Sequence, residues 1–131
     1  MASPSGKLNL PPGIGRAGEA AARKFVTAKL RYEIAETNFR TAEGEIDIIA
    51  ESDSGLVFFE VKTRTSKSFG LGVEQISARK AIKLQLTAQR YLAQIEALDV
   101  DWRIDLLSIE MSKSGRVTDI THIEYAIEEQ S

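Results

Sequence analysis

The sequence predicts an α/β fold: a mixed central β-sheet flanked by helices, in the order αβββαβ with an extra strand at the C-terminus. Three observations carry this prediction. Apolar residues recur at helical spacing in two separate stretches, three strand-like runs lie closely spaced between them, and a further strand pattern follows the second helical stretch. Residues 1–12 contain Ser, Gly and the pair Pro11-Pro12 with little apolar content, and they read as a flexible arm. From about Gly15 to Leu30, the residues Ala22, Val26 and Leu30 recur at helical spacing with Phe25 beside them, which predicts an amphipathic helix. Glu19 lies three residues before Ala22 on the same stripe. Taken alone, a carboxylate near a helix N-terminus is the ordinary partner of the helix dipole.

The runs Tyr32 to Arg40, Glu45 to Glu51 and Leu56 to Thr63 read as strands of an antiparallel meander, punctuated by Gly44 and by Ser52-Asp53-Ser54-Gly55. Leu56-Val57-Phe58-Phe59 is continuously apolar, as a central strand covered on both faces would be, until Glu60 and Lys62 interrupt it. A second helix is expected from about Val73 to Ala97, with Ala81, Leu84, Ala88, Tyr91 and Ile95 on one face and Arg79, Lys83 and Arg90 on another. Arg103 to Ile109 reads as a strand, Ser112 to Gly115 as a hairpin-like turn, and the stretch around Asp119 to Tyr125 as a last strand. No repeat or low-complexity tract divides the chain, so one domain is expected over residues 13–126, followed by a tail over 127–131.

Composition excludes several classes of chemistry. With no Cys among 131 residues there is no disulfide framework, thiolate metal site or Cys nucleophile, and with one His, His122, there is no zinc site built from several imidazoles. Any metal would have to sit on carboxylates. No stretch approaches the roughly 20 apolar residues that cross a bilayer, and Met1 to Leu10 lacks the apolar core of a signal peptide, so no membrane partner and a cytoplasmic location are expected. A chain of this length buries about two thirds of its unfolded surface, enough for one core.

The net charge of −2 conceals segregation. Met1 to Arg31 carries +5, Tyr32 to Val61 −7, Lys62 to Arg90 +6 and Tyr91 to Ser131 −6. The acidic second block is thus framed by two basic ones that fall largely on the two expected helices. Solvated faces of separate elements would give the same alternation, and so would basic elements flanking an acidic pocket.

The stretch most informative about chemistry is Gly44-Glu45-Ile46-Asp47-Ile48-Ile49 followed by Phe59-Glu60-Val61-Lys62. Side chains alternate along a strand, so Glu60 and Lys62 share a face about 7 Å apart while Val61 points to the other. If the preceding strand pairs antiparallel, Asp47 can lie beside Glu60 on that face. Two carboxylates suit Mg²⁺ or Mn²⁺, and a nearby Lys can orient or help deprotonate an attacking water, an arrangement that fits phosphodiester hydrolysis. An ordinary cross-strand charge cluster would use the same residue types, although charges that interrupt an apolar strand are uncommon unless paired or bound to an ion. A glycosidase-type pair of Asp47 and Glu60 would leave Lys62 without a use, and the chain has few aromatics to stack a sugar.

Asp47, a spacer and Glu60-Val61-Lys62 resemble the PD-(D/E)xK nuclease motif. The ordered chain also resembles the bacterial YraN-like family of endonuclease-like proteins. That resemblance runs through Gly15-Arg16-Ala17-Gly18-Glu19-Ala20-Ala21-Ala22, Gly44 to Ile49, Phe59-Glu60-Val61-Lys62-Thr63-Arg64, and Lys80 with Tyr91-Leu92. It covers about residues 13 to 110 and implies a restriction-endonuclease-like core, close in motif layout to archaeal Holliday-junction resolvases. It further implies Asp47 and Glu60 as metal ligands, Lys62 near the attacking water and Glu19 as an additional acidic residue. The proline of the motif's name is replaced by Ile46, at a position that supplies strand geometry and no ligand.

The function expected on these grounds is a metal-dependent endonuclease hydrolysing DNA, duplex or branched. Asp47, Glu60 and the Val61 carbonyl would hold Mg²⁺ or Mn²⁺, with Lys62 positioning water and Glu19 supporting the ion or its waters. Arg64, Lys67, Arg79, Lys80 and Lys83 are candidate phosphate contacts, each with the ordinary alternative of a solvated charge. Gln75 and the loop Ser66 to Gly72 could lie near a substrate, while His122 and Trp102 read as structural. The competing expectation is a non-catalytic nucleic-acid-binding or scaffolding protein that keeps the fold. Paired cuts at a junction would call for a homodimer, though no exposed apolar stripe in the sequence demands one.

Overall fold

Gly13, at φ 84°, precedes the first helix, α1 (Ile14–Lys24). The computed structural model describes residues 10, 13–65 and 76–127; the expected arm apart from Leu10, the loop Ser66 to Gly72 with Lys67, Gln75 and the tail beyond residue 127 lie outside the described residues. Ile14, Gly18, Ala22 and Val26 form the buried stripe at four-residue spacing, and the helix ends in one π turn, Phe25–Lys29. Leu10, inside the stretch read as a flexible arm, packs against the core beneath this helix.

The strands are β1 (Glu33–Arg40), β2 (Glu45–Ser52), β3 (Gly55–Arg64), β4 (Trp102–Met111) and β5 (Val117–Ile127). They form one five-stranded sheet in sequence order, with β3 and β4 parallel and the other neighbours antiparallel. A parallel pair needs a crossover, and α2 (Ala78–Gln94) lies within the one joining β3 to β4. The mixed α/β architecture expected from the sequence is therefore the one observed, with the extra C-terminal strand present as β5. The expected start of α2 at Val73 falls outside the described residues. The helix begins at Ala78 because Ser77 caps it, its hydroxyl accepting the Lys80 amide at 3.1 Å. Ile95 ends α2 and is exposed, not a member of its buried face.

Each side of the sheet carries its own core. Val57, Phe59 and Val61 of β3 pack with Ala22 and Val26 on the α1 side, and Leu56 and Phe58 pack with Leu84, Ala88 and Tyr91 on the α2 side. Phe58 and Phe59 are both fully buried on opposite faces, each side chain worth about 1.5–3 kcal/mol of burial. This explains the unbroken apolar run at the start of β3: a central strand sandwiched by two helices has no solvent face. The β1–β2 turn is tied to α2 by Arg90, whose exposed guanidinium lies 2.8 Å from Glu43 and, with Thr41, holds that carboxyl below its ordinary pKa.

Candidate active site

The centre of interest is a place where the sheet opens. β2 and β3 pair from Ser52 with Gly55 as far as Ile48 with Phe59, and no further, whereas β2 continues alongside β1 through Ile46 with Phe39 and Glu45 with Arg40. The two strands therefore part at Asp47. Ile46 packs on the α2 side and Ile48 on the α1 side, although residues two apart on a regular strand share a face, so the backbone rotates at the intervening Asp47. The Asp47 carboxylate fills the opening: its Oδ2 accepts the Val61 amide at 2.8 Å, taking the place a ladder carbonyl would have. Asp47 is 4% exposed. Because the N–H and C=O of one strand residue leave on the same edge, the Val61 carbonyl also faces this notch.

Glu60 follows Phe58 on the α2 face and is 1% exposed. Its Oε2 receives no hydrogen bond. The ammonium of Lys80 stands 3.0 Å from it, a charge contact without hydrogen-bond alignment. Lys80 sits in the first turn of α2, where the Ser77 cap fixes its backbone, and its side chain remains 16% exposed. Lys62 lies two residues beyond Glu60 on the same face and is half-buried.

Glu19 lies on α1, on the other side of the sheet. Gly18 lies directly on Thr63 of β3, where a Cβ would collide with the Thr side chain, so α1 approaches the strand closely just before Glu19. Glu19, the next residue of α1, is half-buried. Among the described residues no three of His, Cys, Asp and Glu converge as a metal-holding group. The side-chain oxygens that could face an ion in the notch are those of Asp47 and Glu60. Arg64 is half-buried at the end of β3, while Arg79 and Lys83 are exposed on α2. Lys67 is outside the described residues.

A second charged cluster, buried on the α1 side, was not singled out by the sequence. Asp105 is fully buried beside Phe59 and accepts from Arg103 Nε at 2.9 Å and the Tyr125 amide at 3.1 Å, with His122 Nε2 at 2.8 Å. Arg103 also donates to the Tyr32 hydroxyl at 3.1 Å. Burial alone would lower the Arg103 pKa, but Asp105 and Tyr32 more than offset it and hold the guanidinium charged. The signal was present as one charge inside Ile104-Asp105-Leu106-Leu107. His122, read as structural, binds Asp105 and meets the rings of Phe25 and Phe59, and Trp102 packs edge-on to Phe58.

Fold and site together define a mixed α/β protein with two buried carboxylates at a break in its central sheet. The model of the family described as "Uncharacterised protein family UPF0102" matches residues 18–109, and the chain belongs to that family, as the YraN-like resemblance implied. The match spans Glu19, Asp47, Glu60, Lys62 and Lys80. Relatives in this family include proteins of Roseiflexus castenholzii, 38% identical over 88% of this chain and 94% of theirs, and Caldicellulosiruptor bescii, 40% identical over 86% and 95%. Among solved structures, Pyrococcus furiosus SfsA in complex with Ca²⁺ aligns with 88% of this chain and 65% of its own at a TM-score of 0.43 and 18% identity. Among the described residues, no helix is long and apolar enough to cross a membrane.

Proposed function

We propose that this protein is a metal-dependent endonuclease that hydrolyses DNA phosphodiester bonds at the notch between β2 and β3. The observation that carries the proposal is the pair of nearly inaccessible carboxylates, Asp47 and Glu60, where the pairing of β2 and β3 breaks off. Buried carboxylates are costly unless paired or bound to a cation. The Glu60 oxygen without an aligned hydrogen bond meets a cation, the Lys80 ammonium at 3.0 Å, so the position already favours positive charge. The available donors are all hard oxygens, namely Asp47, Glu60 and the Val61 carbonyl, and they fit Mg²⁺ or Mn²⁺ rather than a softer metal. Such an ion, when bound, supplies Lewis-acid polarisation of a phosphate and acidification of water.

The protein's own groups have distinct tasks in this reading. The Val61 amide holds the Asp47 carboxylate in the notch. Lys62, on the Glu60 face, places its ammonium near the attacking water and favours the hydroxide form by its charge. Glu19 supports the ion's waters from α1. Arg64, Arg79, Lys83 and Lys67 contact backbone phosphates, duplex or branched, and such contacts make affinity fall with salt. A homodimer belongs to this proposal only where the substrate needs paired cuts.

One observation favours a second reading. Lys80 already neutralises Glu60, as it would in a protein that keeps the fold for nucleic-acid binding or scaffolding without turnover. Incubation with linear, nicked and junction DNA in Mg²⁺ or Mn²⁺ separates the two. The nuclease reading expects cleavage of at least one substrate, lost in Asp47→Ala; no cleavage above that variant on any of them would refute it.

A further inference from the structure

Lys80 occupies the place where a metal ligand should be open. Glu60 is almost completely buried, its Oε2 is without an aligned hydrogen bond, and among the described residues the Lys80 ammonium stands 3.0 Å from that oxygen. A divalent ion of this class binds oxygen at about 2.1 Å. An ammonium at 3.0 Å from the same oxygen would crowd and repel it. The two cations therefore compete at Oε2.

The ammonium is built to leave. It sits on a flexible four-carbon stem, on the first turn of a helix whose start is fixed by Ser77 and not by the ammonium itself. Its side chain retains a path to solvent at 16% exposure, against 2% for Glu60. Arg79 and Lys83 are exposed on the same helix, so a released Lys80 would add its charge to a surface already basic. We propose that Lys80 is a resident counter-cation that holds Glu60 in the metal-free protein, is displaced when the divalent ion binds, and then presents its charge to a substrate phosphate. The proposal rests on the metal reading of the notch and extends it by coupling metal loading to substrate attraction. The contact stabilises the metal-free state while competing with the ion, so removing the ammonium removes the competitor.

Calorimetric titration with Mn²⁺ alone and reductive methylation of Lys80 test this together on the full chain. Lys80→Met is expected to bind Mn²⁺ about tenfold more tightly than the parent protein. In the parent protein, methylation of Lys80 is expected to be slow without metal and severalfold faster in saturating Mn²⁺, a measurement that does not depend on the variant folding. Glu60→Gln should show fast labelling from the start. Equal or weaker Mn²⁺ binding by a folded Lys80→Met, or labelling unmoved by Mn²⁺ in a parent protein that binds it through Asp47 and Glu60, would overturn the exchange and leave the metal site standing. Absence of Mn²⁺ binding in the parent protein would overturn both.

Discussion

Asp47 owes its position to a hydrogen bond that a regular strand would give to its neighbour. Since the Val61 amide needs only an acceptor, Asp47→Asn can preserve the bond through its carbonyl oxygen while deleting the charge. This variant is expected to melt within a few degrees of the parent and to lose more than about a hundredfold in cleavage rate; a rate close to the parent's would remove Asp47 from the chemistry. Asp105 is a different case, a buried charge held by Arg103, His122 and the Tyr125 amide. Asp105→Ala leaves the part-buried Arg103 with only the more distant Glu124 carboxylate at 3.9 Å and should cost about 3 kcal/mol in urea unfolding. Tyr91, pressed against Phe39 and Phe58, has its phenol pKa raised by burial and then by Glu36 and Glu51. A raised folded value means its contribution is complete below the ordinary 10.0 and is lost as pH climbs through the folded value. Tyr91→Phe should therefore flatten the loss of stability as pH rises above 10.0, measured by urea titration.

At the scale of elements, the site depends on how two helices are seated. Gly18 lets α1 touch Thr63, so Gly18→Leu should force the helix away and destabilise the fold by about 1–3 kcal/mol, seen as a lower urea midpoint. Ser77→Ala removes the cap beneath Lys80 and should cost about 1 kcal/mol. The elements themselves were legible because their periods differ. Ala22 and Val26 repeat at helical spacing, and the apolar run of β3 could belong only to a covered strand. The π turn at Phe25–Lys29 was not legible, since Val26 keeps its place in the buried stripe whether the last turn is α or π. The start of α2 was blurred for a related reason: periodicity marks a face, while Ser77 marks the boundary.

For the whole molecule, spacing sufficed to nominate Asp47, Glu60 and Lys62, because charges on a doubly covered strand conflict with burial. It could not show that β2 turns away from β3 at Asp47, which depends on pairing between strands, nor that Lys80 reaches Glu60, which depends on where a distant helix lands. The sequence placed Lys80 among phosphate contacts; the fold sets its ammonium on a buried carboxylate. Segregated charge proved more informative than the net value of −2, since basic α1 and α2 cover opposite faces of a sheet that carries the acidic pair. The central claim is that the notch is a metal centre. Crystals soaked in Mn²⁺ and measured for anomalous scattering test it most directly. The expected result is a peak between Asp47 and Glu60, bordered by the Val61 carbonyl and absent in Asp47→Asn. A notch without a peak at saturating Mn²⁺, or a peak confined to surface carboxylates, would contradict it.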